Sequence, residues 1–107
     1  MEIVKEVFVV IENKPGTLGD LCGQLARKKI NIEAVGVFQD TAKLVVSKTG
    51  EAVKLLKDLK YEVEVREVLK ADLENKPGEL AFVTSKIGSA GINIEYCYGT
   101  MSRHQNE

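Results

Sequence analysis

Nothing in the sequence is both long and apolar: the longest uninterrupted run covers residues 7–11. That excludes a membrane-spanning helix, which needs about 20 such residues. No basic segment leads into an apolar stretch behind Met1, so no secretory signal is read and the cytoplasm is the expected location. Histidine and cysteine are nearly absent, with one of the first (His104) and two of the second (Cys22, Cys97). The cysteines stand 75 positions apart, a spacing that fits no metal motif, so neither a metal nor a cofactor is expected. A lone histidine near the end reads as solvated, and Cys22 reads as a buried thiol on a helix stripe. No disulfide is expected between the two. An excess of one charge is missing too. Fifteen Lys and Arg face sixteen Asp and Glu, a net −1, which argues against a phosphate-neutralising surface and so against nucleic acid. The basic run Arg27-Lys28-Lys29 falls at a predicted helix end, where cations complement the dipole.

What is present is a duplication. Ile11-Glu12-Asn13-Lys14-Pro15-Gly16-Thr17-Leu18 returns as Leu73-Glu74-Asn75-Lys76-Pro77-Gly78-Glu79-Leu80, an offset of 62 from 11 to 73. Ile30-Asn31-Ile32-Glu33 returns as Ile92-Asn93-Ile94-Glu95 at the same offset, from 30 to 92. Two motifs in one register with an ungapped stretch between them are a repeat.

The first copy reads as βαββαβ. A Val- and Ile-rich strand spans 3–11. The Lys14-Pro15-Gly16 turn ends it, and a helix over 17–28 places Leu18, Leu21, Cys22 and Leu25 on one stripe. Strands follow at 31–38 and 42–47. A second helix starts near Thr49, taken as its N-cap, and its stripe is Ala52, Leu55, Leu56 and Leu59. The fourth strand alternates Tyr61, Val63 and Val65 with glutamates. By the offset it continues into strand one of the second copy, and the break in alternation at Arg66-Glu67 predicts a bend or bulge there. The second copy supplies a helix with Leu80, Val83, Thr84 and Ile87 on its stripe, then a strand through Ile92, Ile94, Tyr96 and Tyr98. Its strand three would begin near 104, so its last three elements are missing. The expected class is α+β: a ferredoxin-like sandwich over 1–66, with strand three between strands one and two, followed by an incomplete βαβ copy over 67–107.

The strand, the Glu-Asn-Lys-Pro-Gly-x-Leu loop, the amphipathic helix and the Ile-Asn-Ile strand opening resemble the ACT domain, a ligand-binding module of regulators of amino-acid metabolism. The resemblance covers the whole chain. It implies a small-molecule sensor rather than an enzyme, with an amino acid as ligand. It also implies that the asparagine before the Pro-Gly turn and the one opening strand two of a neighbouring module touch that ligand. Those positions are Asn13 and Asn31, and Asn75 and Asn93. A histidine frequent in relatives two residues before the loop asparagine is Ile11 and Leu73 here, which removes one polar contact.

The chemistry of the loop agrees. Pro15 and Pro77 stiffen the turn, and Gly16 and Gly78 allow unusual dihedrals and close approach. The amides of Thr17, Leu18, Glu79 and Leu80 open a helix and suit a carboxylate. Asparagine offers both donors and an acceptor. A purely structural turn is the competing reading, with Asn31 and Asn93 ending the preceding helices in left-handed conformation.

Other functions of the same fold fit less well. An acylphosphatase-like loop needs an arginine cradle, and Lys14 is the only cation in the first loop. RNA-binding sheets stack bases on aromatics, and Phe8 stands alone among Val7, Val9 and Val10. The main alternative is an oligomerisation module without a ligand. A sheet face carrying Phe8, Val10, Val35 or Val37 is too apolar to leave in water. Together with the incomplete second copy, it predicts a homo-oligomer, most simply a two-fold dimer, with a strand at 96–101 as the donor.

Overall fold

The computed structural model describes residues 1–100, so His104 and the expected position of a further strand near 104 lie outside the described residues. Seven elements follow one another: β1 (Glu2–Val10), α1 (Thr17–Arg27), β2 (Ile32–Phe38), β3 (Thr41–Val46), α2 (Thr49–Asp58), β4 (Glu62–Lys70) and α3 (Glu79–Ser89). The sheet order is β2-β3-β1-β4 with every neighbouring pair antiparallel. This is the ferredoxin-like arrangement read from the sequence, with β3 between β1 and β2.

Alternation on β1 divides the sheet into two faces. Val7, Val9 and Ile11 point to the helices and join Leu21, Leu25, Ile30, Ala42, Leu44, Val46, Ala52 and Leu56 in one buried core. Both helices of the first copy bring their stripes to this layer: Leu21 and Leu25 from α1, Ala52 and Leu56 from α2. Cys22, beside that stripe, is half-buried rather than buried, and both cysteines are free thiols. Lys48 stands at the N-cap of α2 and Thr49 is its first helical residue, with no side-chain cap bond, so Thr49 does not cap it.

β4 corrects one expectation. It pairs residue for residue with β1, from Glu2 opposite Lys70 to Val10 opposite Glu62, and Arg66-Glu67 continue the ladder without a bulge. Alternation in fact persists there. Arg66 shares the outer face with Glu64 and Val68, and a charged residue on a solvated face does not interrupt a strand. The irregularity lies in β2 instead, between Ile32 and Ala34. Beyond it Val35 stands opposite the core residue Leu44 and Val37 opposite Ala42. One extra residue moves every later side chain to the other face. Val35 and Val37 therefore belong to the helix side, where they are exposed at its margin, and Ala34, Gly36 and Phe38 take the outer face.

Chain from the second copy covers part of that outer face. Residues 92–100, where a strand is expected, form none. Past Ile92, whose amide reaches the Ile87 carbonyl at 3.2 Å, residues 93–100 make no backbone–backbone hydrogen bond among the described residues. They cross the sheet instead. The Tyr96 hydroxyl donates to Glu6 Oε1 at 2.8 Å and the Tyr98 hydroxyl to Glu6 Oε2 at 2.6 Å. Glu6 is fully buried by this contact. Lys43 Nζ, from β3, sits 4.1 Å from the Tyr96 ring centre, 4.7 Å from Phe38 and 5.4 Å from Phe8. The Arg66 guanidinium lies 3.9 Å over Phe8 and bonds Glu64 at 3.2 Å. A face that read as apolar is thus a mixed layer of aromatic rings and charges.

Candidate functional site: the paired loops

The two loops have nearly one backbone. Gly16 has φ 91° and ψ −18°, and Gly78 has φ 93° and ψ −13°. The Lys14 and Lys76 amides donate to the Glu12 and Glu74 carbonyls at 3.0 Å, and those of Asp20 and Phe82 to the Gly16 and Gly78 carbonyls at 3.0 Å. These glycines are needed for their left-handed backbone, which costs an L-residue about 1–2 kcal/mol. Space is not the constraint, since an added Cβ would meet nothing within 4 Å.

The free amides differ by one position from the sequence reading. Those of Thr17 and Glu79 bend back to the Lys14 and Lys76 carbonyls at 3.4 Å. Leu18 and Gly19 in the first loop, and Leu80 and Ala81 in the second, have amides with no acceptor among the described residues. Gly19 and Ala81 were missed because the Pro-Gly turn itself takes up the first amide of each helix. The signal was available: residues N1 to N3 all lack intrahelical acceptors, and only N1 is close enough to the turn to be satisfied by it.

Side chains distinguish the loops. Thr17 Oγ1 donates to the Glu12 carbonyl at 2.6 Å and lies 3.1 Å from the Lys14 carbonyl, fastening the first loop across its base. Glu79 holds the same position in the second loop and, as a carboxylate, has no proton to donate. Lys14 pairs with Glu12 at 2.9 Å and Lys76 with Glu74 at 3.4 Å, all four exposed. An open cleft of about 410 Å³ flanks the first loop, lined by Glu12, Lys14, Thr17, Asp20, Lys60 and Glu62 among others. Two ammonium groups and three carboxylates around one cleft suit a ligand carrying both charges.

The asparagines fall at two ends. Asn13 follows the end of β1, whereas Asn31 precedes β2, which runs parallel to β1, so one module cannot bring them together. Through the register, Asn31 is level with about Val4, some nine residues or ~30 Å from Asn13 along the strand direction. The Asn75 loop lies at the Asn31 end, because Lys70 near the close of β4 stands opposite Glu2. Asn31 does not end α1: the left-handed residues are Lys29, φ 57°, and its counterpart Gly91, φ 79°. Its backbone is bound to Ser47, through its amide to Oγ at 3.0 Å and through its carbonyl at 2.9 Å. Asn93 lies on the crossing segment, exposed.

The family model described as "ACT domain pair" matches residues 1–105. The chain belongs to the ACT domain family. Protein BT0572 from Bacteroides thetaiotaomicron is similar at 31% identity and a TM-score of 0.83, over 94% of this chain and 72% of its own. The fold is shared with the ligand-free regulatory subunit of aspartate kinase from Thermus thermophilus, at 18% identity and a TM-score of 0.62, over 94% of this chain and 82% of that one. It is shared also with E. coli aspartokinase III in complex with lysine and aspartate, at 22% identity and a TM-score of 0.58. That match covers 95% of this chain and 26% of the kinase. No protein of curated function matches the sequence. The ACT pair is therefore a regulatory module by family. Its described residues hold no cluster of metal-ligating side chains and no helix long and apolar enough to cross a membrane.

Proposed function

We propose that this ACT domain pair is a cytoplasmic sensor of a free amino acid or close analogue, with no catalytic activity of its own. The observation that carries the reading is the duplicated Asn-Lys-Pro-Gly loop, which presents two unpartnered amides at a helix start twice in one chain. A ligand carboxylate is held by the Leu18 and Gly19 amides and by Asn13, and its ammonium faces the acids of the adjoining cleft. Pro15 and Gly16 fix the turn, and an asparagine opening strand two of a neighbouring module, Asn31 or Asn93, closes the site. The second loop repeats this with Asn75, Gly78, Glu79 and Leu80. Support comes from family membership and from the lysine- and aspartate-bound state of the aspartokinase that shares the fold.

The working form is a homodimer, since α3 has no buried residue and Leu69, Leu80, Phe82 and Ile92 are each more than half exposed. The same exposure favours a second reading, an assembly module with no ligand. A thermal-shift panel of the twenty amino acids separates them. A ligand at 100 times its Kd adds about 2.7 kcal/mol and a clear rise in midpoint. No shift with any of the twenty leaves the assembly reading.

A further inference from the structure

The contact between residues 92–100 and the outer sheet face has an uneven construction. The first module is held by a continuous ladder and a closed core. Among the described residues the crossing segment makes no backbone–backbone hydrogen bond beyond Ile92, and α3, which carries it, has no fully buried residue. Among the described residues, side chains alone hold it down. Two hydroxyls on Glu6, the Tyr96 ring against Lys43, the Tyr96 hydroxyl beside Arg66, and Tyr98 over Gly36 are its anchors. Segments with few buried contacts and no backbone bonds open at lower free energy than the core they rest on. Here the attachment is concentrated on one carboxylate. Glu6 is fully buried and spends both oxygens on the two tyrosines, so losing it removes both charge-assisted bonds at once.

We propose that Glu6, Tyr96 and Tyr98 form a latch by which residues 92–100 open and close over the sheet as a unit while the first module stays folded. Asn93 stands three positions before Tyr96, so the closed latch is also what fixes Asn93 for contact with a ligand. That second part rests on the amino-acid reading above. Glu6 is then a positioning residue: it touches no ligand and acts through the segment it holds. Opening uncovers Phe8, Phe38 and Lys43 as well as Glu6.

Cys97, exposed between the two tyrosines, provides the probe. A nitroxide is attached there in the full chain with Cys22→Ser, a polar exchange at a half-buried position whose counterpart in the second copy is Thr84. Without ligand, the spectrum should be dominated by an immobilised component that turns mobile at a lower temperature than the far-UV melt of the first module. Glu6→Ala and the double variant Tyr96→Phe/Tyr98→Phe should each raise the mobile-to-immobile ratio at least about tenfold, the scale of one lost charge-assisted hydrogen bond. Unchanged spectra in both variants, or a label that mobilises only together with the melt, overturn the latch. The amino-acid panel on the same proteins tests the second part. A ligand bound by the parent and weakened by both variants supports it, and equal affinity overturns it while leaving the site in place. A parent that binds no amino acid ends both the site reading and the role of Asn93, and the latch is then decided by the spectra alone.

Discussion

The Tyr98 hydroxyl lies 2.6 Å from Glu6 Oε2 although 92 positions separate the two residues. Glu6 comes from β1 of the first copy and Tyr98 from the last described stretch of the second. The bond joins the halves of a duplicated chain through residues that the duplication does not repeat: Glu6 corresponds to Val68, and Tyr98 to Gly36.

Alkaline titration reads this contact. Burial first, and then the bond to Glu6, push the Tyr98 hydroxyl well above the ordinary tyrosine value of 10.0, and Tyr96 is raised for the same two reasons. Folding thus favours the protonated phenols. Their contribution to stability is complete below pH about 10 and is lost as pH rises above it toward the folded values. Tyrosinate absorbance should show two late-ionising phenols, with a thermal midpoint that falls over the same range. In Tyr96→Phe/Tyr98→Phe both features should be gone; a late-ionising pair that survives there contradicts the assignment.

Gly36→Ala should loosen the same contact from below. A Cβ at that position would stand 2.9 Å from Phe38 Cε2 and 3.0 Å from Tyr98 Cγ. The Phe38 ring end can swing away, but the Tyr98 ring is tethered through its hydroxyl and must lift. Increased mobility of a Cys97 label, with the core melt moved by less than about 1 kcal/mol, is the expected result. A label as immobile as in the parent would show that Tyr98 accommodates the methyl.

Thr17→Val should make the first loop behave like the second. It removes the bond to the Glu12 carbonyl and the contact with the Lys14 carbonyl, with a loss of about 0.5–1.5 kcal/mol in stability. Ligand affinity should fall as well, because the loop must then be ordered on binding. Calorimetry on the pure variant measures both, and an affinity equal to the parent's would show that the fastening plays no part in recognition.

Leucine truncations should separate the two copies. Leu25→Ala or Leu44→Ala, each fully buried, should cost about 2–5 kcal/mol. Leu80 is 61% exposed, and Leu80→Ala should cost within about 0.5 kcal/mol in an isolated chain. If two chains cover α3, that cost should grow with protein concentration, and sedimentation of the variant should show a weakened dimer.

Much of this molecule could be read from residue patterns, and the gaps have particular causes. The period-2 signal on β1 and β3 and the period-3.6 stripes on α1 and α2 gave the core, because each is a local rule and each helix has a sheet to cover. The bulge was expected at Arg66-Glu67, where charges interrupt an apolar alternation. It lies at 32–34, where apolar residues occupy both faces and leave no pattern to break. The loops were legible as a pair since their backbone depends on a glycine at one fixed position. The Glu6 latch was not. A lone glutamate in a strand reads as solvent-facing, and its partners are 90 and 92 positions away. No local rule connects residues so far apart. The position of Asn31 at the opposite end from Asn13 follows from parallel strands, and it makes the expected site one between modules rather than within one.

β4 belongs to both copies at once. It pairs with β1 along its whole length, and the Arg66–Glu67 step expected to divide the copies falls in the middle of that ladder. A chain stopped at Arg66 would lose the residues opposite Glu2 to Lys5 and leave half of β1 with a bare edge. A chain divided at that step should therefore not give two stable halves. A protease acting on the native protein should find no purchase at their boundary, and its first cuts should fall in the exposed loop around Glu74 and Asn75 instead.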